Sequence, residues 1–249
     1  MLNVNQLSII IDNKYIVEKG SFLVPNGKIT SIIGESGSGK SMTIAALLGI
    51  LPPGAVASGQ VLFQGRNLLE CSAKEMMKIR KEQLFTIFQD AANSFNPSVK
   101  MDQQLYAFSG GRKGDTVNQF RVKMAAIMED LGLSVAIFEQ YPFELSGGML
   151  QRCMIACALY VEPTLLIADE PTSALDRIAQ KEFISLLKRL NEERGTTILL
   201  ITHDLDVVAE AAHEMVVMHA GNVVETGYVD TIYKQPEHPY TKRLLDSRF

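Results

Sequence analysis

Two short glycine-containing stretches in this 249-residue sequence have the makings of phosphate sites, and two adjacent carboxylates are suited to act on what such a site holds. The first stretch is Gly34-Glu35-Ser36-Gly37-Ser38-Gly39-Lys40-Ser41, between an apolar strand-like run and a helical one. Its glycines let successive backbone N–H groups turn toward one anion, and the helix behind adds partial positive charge. In a loop of this kind Lys40 reaches the β- and γ-phosphates of a nucleotide. The Ser41 hydroxyl binds Mg2+, and residues through Met42 complete the cradle.

Asp169 and Glu170 end the apolar run at 164–168. Carboxylates at the carboxyl end of a buried parallel strand lie where such sheets bind ligands. Asp169 is suited to hold Mg2+ through water, and Glu170 to polarise an attacking water. Gln89 follows the run Leu84-Phe-Thr-Ile-Phe88 and can touch both that ion and that water; taken alone, it is a strand-end amide. His203 follows the apolar run at 196–201 and can donate to a γ-phosphate; by itself it reads equally as a structural histidine.

The second glycine turn, Ser146-Gly147-Gly148, opens a helical run beginning at Met149. Exposed N–H groups, a hydroxyl and the helix dipole make an anion site of it, although the tripeptide alone is a helix cap. One phosphate loop is already complete in this chain. A second anion site is spare unless it serves a nucleotide held by another subunit.

The elements that must position these groups alternate. Strands are expected at 7–11, 21–24 and 28–34, with turns at Asp12-Asn13 and Pro25-Asn26-Gly27, and further strands at 59–65 and 84–89. A helix runs from Gly39 to Gly49, stopped by Pro52-Pro53. Residues 91–160 are Met-rich and helical in pattern, except for a loop expected at 108–116, where Ser-Gly-Gly is followed by Arg-Lys-Gly. A buried strand at 164–169 precedes a helix capped by Asp176 and ended by Gly195, with Ile178, Phe183, Leu186, Leu187 and Leu190 on its apolar face. A second buried strand at 196–201, a short helix and strands at 214–219 and 222–227 follow. This order predicts an α/β P-loop NTPase with a mixed, largely parallel core sheet, an N-terminal antiparallel β subdomain and an inserted α-helical lobe. The chain reads as a single domain: a core of 1–90 and 161–228, a lobe of 91–160 and a tail of 229–249.

Lys plus Arg number 24 against 28 Asp plus Glu, a net charge of −4, so no basic surface points to nucleic acid. Cys71, Cys153 and Cys157 have no framework spacing and fit a reducing compartment. Cys153 and Cys157 share a helix face and read as small buried hydrophobes. The opening residues lack the basic region of a secretory leader. The longest apolar stretch, 42–51, is too short to span a bilayer, so a membrane role is expected through partners.

The phosphate loop, Phe88-Gln89-Asp90, Leu145-Ser146-Gly147-Gly148-Met149, "LLIADEPTSALD" (165–176) and "ITHD" (201–204) occur in the order and spacing of ABC-transporter ATPase subunits. The chain resembles that family along essentially its whole length. The resemblance implies ATP and Mg2+ as ligands and two subunits sandwiching two ATPs head to tail. It implies that Ser146, Gly147, Gly148 and Met149 contact the partner's ATP, and that Gln89 is the Q-loop and His203 the switch histidine. Ser173, Ala174, Leu175 and Asp176 would form the D-loop at the dimer seam, and the inserted helices would dock a permease. The usual adenine-stacking aromatic aligns with Ile11, and Tyr15, in the following turn, is the substitute candidate.

"SFNPSV" (94–99) and "PEHPYTKRLL" (236–245) further resemble the branch serving peptide and nickel importers; "LLGILPPG" (47–54) and "YPFELSGGMLQR" (141–152) look nearer the nickel type. The expected function is therefore that of an ATP-hydrolysing subunit energising import of nickel or a metal chelate, with di- or oligopeptide import as the alternative. A non-transport relative acting on DNA or ribosomes is the alternative of another class. It is disfavoured because only residues 90–145 separate Gln89 from Ser146, too few for a long coiled coil. Expected partners are a related but different ATPase subunit, two integral-membrane permease subunits and an extracytoplasmic substrate-binding protein, with no nucleic acid. The expected location is the cytoplasmic face of the membrane.

Overall fold

In the computed structural model, which describes residues 2–89, 92–173 and 175–246, the first strands are longer than their apolar runs. β1 (Leu2–Ile11) and β2 (Lys14–Val24) pair through Asp12 and Asn13, both at positive φ as a tight hairpin turn requires. A register shift between Val4 and Leu7, with Gln6 at φ 51°, breaks the period-two pattern; this hid the outer half of β1 from a periodicity reading. β3 (Ile29–Ile33) is buried throughout and leads to α1 (Lys40–Leu48), bounded by Gly39 and Gly49 where the sequence places its ends. β4 (Val56–Phe63), β5 (Arg66–Asn67) and α2 (Ala73–Glu82) follow.

The chain continues through β6 (Leu84–Ile87), α3 (Met101–Leu105), a π turn (Tyr106–Gly110), the single turn α4 (Gly111–Lys113) and α5 (Val117–Asp130). Next come α6 (Gly147–Val161), β7 (Leu165–Asp169) and α7 (Arg177–Arg194). β8 (Thr197–Ile201), α8 (Leu205–Ala211), β9 (Glu214–His219), β10 (Asn222–Tyr228), α9 (Val229–Lys234) and α10 (Pro239–Asp246) complete it. Two units result: the residues up to Arg80 with those from Thr197 onward, and Lys81–Thr196.

The first unit holds an antiparallel sheet in the order β2-β1-β4-β5 and the run β10-β9-β3-β8. In that run β3 is parallel to both β8 and β9, while β9 and β10 are antiparallel. β3 and β8 are buried at every position; β8 reads as a nearly unbroken apolar run, whereas β3 buries Thr30 and Ser31 among its isoleucines. The segment after Tyr228 folds back on this layer: Val229, Ile232 and Tyr240 join Ile33, Leu205, Val208, Met215 and Val217 in one buried cluster.

In the second unit β6 and β7 pair in parallel. Phe120 is fully buried on α5, with the rings of Tyr106, Phe138 and Tyr160 at 5.4, 6.2 and 5.3 Å. The loop expected at 108–116 is instead helical as far as Lys113. A Cβ on Gly110 would lie 2.7 Å from the rings of Phe120 and Tyr106, so this glycine lets a helix pass close to aromatic faces. Arg112 anchors the segment by donating to the carbonyls of Lys81 and Leu84.

On α7, Asp176 caps as expected, accepting from Ile178 N and Ala179 N at 2.9 Å each, and Gly195 ends the helix at φ 64°. Ile178, however, is 75% exposed; the buried face is Phe183, Ile184, Leu187 and Leu190, with Leu186 half-buried. A five-residue step turns a helix by about 140°, so Ile178 and Phe183 cannot share a narrow face. The α/β expectation holds: a P-loop joins a parallel strand to a helix, an antiparallel sheet is built from strands on either side of it in sequence, and helices intervene between β6 and β7. Among the described residues no helix is long and apolar enough to cross a membrane.

Candidate functional site

The loop from Gly34 to Ser41 needs its glycines for two reasons. Gly34 (φ 153°) runs so close to β9 that a Cβ would lie 2.1 Å from the Met218 carbonyl oxygen. Gly39 (φ 102°) would place one 2.9 Å from the Ile16 carbonyl oxygen. Glu35, Ser36 and Gly37 form an exposed arc, whereas Ser38, Gly39 and Lys40 are buried beneath it. Lys40, 6% exposed, donates from Nζ to Gly34 O at 2.7 Å and to Glu35 O at 3.0 Å. Ser41 is exposed and Met42 half-buried at the start of α1.

This loop concentrates positive potential. Gly39 offers no side chain to cap α1, and the first turn carries no acidic residue. The N–H groups of that turn, and the positive end of the helix dipole, are left for an external anion. The Ser38 hydroxyl is buried without a hydrogen-bond partner among the described residues. A Cβ on Gly37 would meet nothing within 4 Å, so the arc faces open space.

Elsewhere in the first unit, Tyr15 stands on β2 opposite Ile10, 58% exposed, rather than in the turn where the sequence puts it. His203 is exposed directly after β8. The turn that holds it is fixed by Asp204, whose N–H donates to Thr202 Oγ1 at 3.0 Å and whose carboxylate caps α8 at Asp206 N and Val207 N.

In the second unit, Asp169 ends β7 and Glu170 follows at φ 45°, a left-handed backbone that a residue with a Cβ rarely adopts. Such outliers persist only where the surroundings enforce them, and they gather at functional sites. Here the enforcement is visible: Ser173 donates to Glu170 O from its N–H (3.3 Å) and its hydroxyl (3.1 Å), and Leu175 N donates to Thr172 O. The buried Gln151 amide on α6 donates to Pro171 O. Gln89 is exposed just past β6. Ser173, Leu175 and Asp176 lie along this turn; Asp90 and Ala174 lie outside the described residues.

Ser146 caps α6, its hydroxyl accepting from Met149 N at 3.3 Å. A Cβ on Gly147 or Gly148 would meet nothing within 4 Å, and neither backbone has positive φ. Among the described residues nothing crowds either position. Cys153 and Cys157 are buried on the same helix, and burial pushes the Cys153 thiol up to about 12, so it is inert as a nucleophile.

Two residues with evident positional work escaped the sequence reading. Gln151 and Tyr240 sit inside quoted motifs, but their contacts are with backbone far along the chain, which local pattern does not encode.

The sequence profile of the family described as "ABC transporter" matches residues 17–173. The chain belongs to that family, in its ATP-binding branch, whose members use ATP with Mg2+. It is 42% identical over 231 residues to the oligopeptide transport ATP-binding protein OppD of Bacillus subtilis, covering 91% of this chain and 64% of that protein. With the dipeptide transport ATP-binding protein DppD of Escherichia coli it shares 39% over 252 residues, 98% of this chain and 77% of that one. Among solved structures, CbiO1 of Clostridium perfringens, part of the cbiONQ transporter complex, superposes with a TM-score of 0.79 at 28% identity, over 94% of this chain and 90% of that one. The dimeric cassette MJ0796, in a post-hydrolysis state with ADP and Pi, also gives 0.79, at 26% identity over 92% and 99%.

The residues present fit these ligands. The uncapped start of α1, the exposed arc and the orphaned Ser38 hydroxyl suit a polyphosphate. Among the described residues no group of three or more His, Cys, Asp or Glu side chains could hold a metal alone. Mg2+ binds through few protein oxygens together with substrate phosphates, and Ser41 offers an exposed hydroxyl at the start of α1.

Proposed function

We propose that this chain is the ATP-hydrolysing subunit of an importer for oligopeptides or dipeptides, acting at the inner face of a membrane. The cargo rests on one observation: relatives about two-fifths identical over more than nine-tenths of the chain, 42% over 91% and 39% over 98%, are named for peptide transport. The nickel expectation drawn from "LLGILPPG" and "YPFELSGGMLQR" has no such support, and the peptide reading takes its place.

In this reading residues 34–42 hold the phosphates of ATP, with Lys40 on the β- and γ-groups. Ser41, Gln89 and Asp169 hold Mg2+, which supplies Lewis-acid charge neutralisation when bound. Glu170 polarises the attacking water, and its left-handed backbone sets the direction in which its side chain leaves the turn. His203 donates to the γ-phosphate, and Tyr15 supports the base. Ser146 to Met149 reach the ATP of a second, related cassette, and residues 173–176 line the seam. Support for that second cassette comes from Gly147 and Gly148, kept small where their own chain leaves open space. Closure of the pair moves two permease subunits fed by a substrate-binding protein, and hydrolysis reopens it. Nucleic acid has no part in this cycle.

Reconstitution with both permeases, the partner cassette and the binding protein tests the cargo. ATP hydrolysis is expected to rise when the binding protein is loaded with short peptides; stimulation by Ni2+ and not by peptide would return the nickel reading. Ser146→Arg tests the shared site. In the assembled pair this chain should still bind ATP at its own loop, while hydrolysis at the partner's nucleotide falls about 100-fold or more, the cost of losing a key stabilising donor. Loss of this chain's own ATP binding would sink the assignment.

A further inference from the structure

We propose that Tyr240 is a positioning residue for the phosphate loop: its hydroxyl holds the Gly34–Glu35 peptide on the side opposite Lys40, so that helix α10 sets nucleotide affinity. This rests on the reading of residues 34–41 as the nucleotide loop and adds a contact 205 positions away along the chain.

The C=O and N–H of a trans peptide point in opposite directions. Here the Gly34 carbonyl accepts from Lys40 Nζ at 2.7 Å, and the Glu35 N–H donates to Tyr240 Oη at 3.1 Å. One peptide plane is thus clamped from both sides. The next carbonyl, Glu35 O, also accepts from Lys40 Nζ and from Ser38 N, at 3.0 and 3.1 Å. Lys40 cannot serve phosphates and keep all of these carbonyl contacts. With three N–H donors, Lys40 loosens at least one carbonyl when it serves both phosphates, whereas the Tyr240 contact does not depend on Lys40. A plane next to glycine rotates at little cost, so an external hold on it has an effect.

Tyr240 is itself firmly placed. It is 3% exposed within the buried cluster of the first unit, and its ring stacks on His219 at 3.9 Å and 20°. Its own N–H donates to His238 Nδ1 at 3.1 Å. The Glu225 carboxylate accepts from Glu237 N and His238 N, at 2.8 and 3.0 Å, tying the entry of α10 to β10. A residue that only filled the core would need the ring; here the hydroxyl is spent on the loop.

Tyr240→Phe in the full chain keeps the ring and removes the hydroxyl. The dissociation constants for Mg-ATP and for ADP should rise about threefold to tenfold, the worth of one neutral hydrogen bond. In the assembled transporter KM for ATP should rise in step, with kcat changing less than twofold. Amide hydrogen exchange at Glu35 should quicken while the β1–β2 hairpin is unchanged. If wild type binds no ATP, the nucleotide reading fails. If wild type binds and Tyr240→Phe matches it in affinity and in Glu35 exchange, the positioning role is overturned. A fall in kcat and melting temperature with KM unchanged would equally overturn it, by making the hydroxyl a matter of stability alone.

Discussion

Glu170→Gln is expected to bind ATP like wild type and to lose hydrolysis by about 100- to 10,000-fold, the contribution of a positioned general base. The substitution is nearly isosteric and leaves the backbone contacts of the turn in place, since Ser173 donates to the Glu170 carbonyl and not to its side chain. The residue keeps its left-handed φ of 45° at no greater cost with an amide than with a carboxylate. What disappears is the negative charge proposed to polarise the attacking water. ATP then persists between two cassettes that have closed and cannot reopen. Size-exclusion chromatography of the mutant pair with Mg-ATP should show a stable dimer, and single-turnover kinetics should show the slowed step. An unchanged hydrolysis rate would refute the role.

Lys40→Ala should act one step earlier, weakening ATP affinity by about 10- to 100-fold, the range for a charge-assisted hydrogen bond to an anion. Lys40 is almost wholly buried, and its ammonium binds two loop carbonyls. Alanine therefore removes the proposed phosphate ligand and slackens the arc together. Calorimetric titration gives the affinity, and a melt of the nucleotide-free protein separates loop damage from lost charge. Equal affinity in the mutant would count against the loop as the nucleotide site. The two substitutions diverge: one leaves binding without turnover, the other removes binding itself.

Much of this was legible because it is local. Gly39 and Gly49 bracket α1, and Asp176 and Gly195 bracket α7, because caps are chosen by backbone geometry within a few residues. The buried strands β7 and β8 announced themselves as nearly unbroken apolar runs. Gly110 misled because glycine in sequence signals a break, whereas here it is the only residue that fits beside Phe120. Ile178 misled because an apolar residue near a helix start was assigned to a face that begins five residues later. The outer half of β1 was masked by the irregularity around Gln6. The contacts of Gln151 with Pro171 and of Tyr240 with Glu35 were out of reach, since no periodicity connects segments that tertiary folding brings together.

The open space at Gly147 and Gly148 carries a lesson for anyone seeking a hardier version of this protein. Glycine in a helix interior is less stable than alanine by about 0.5–1 kcal/mol, and part of that difference applies in the first turn, where Gly147 and Gly148 stand. Selecting the isolated chain for heat tolerance would therefore reward alanine at both positions. On the proposed reading the winners of that selection would be sturdier alone and impaired in the assembled pair, where the partner's nucleotide would need those two glycines.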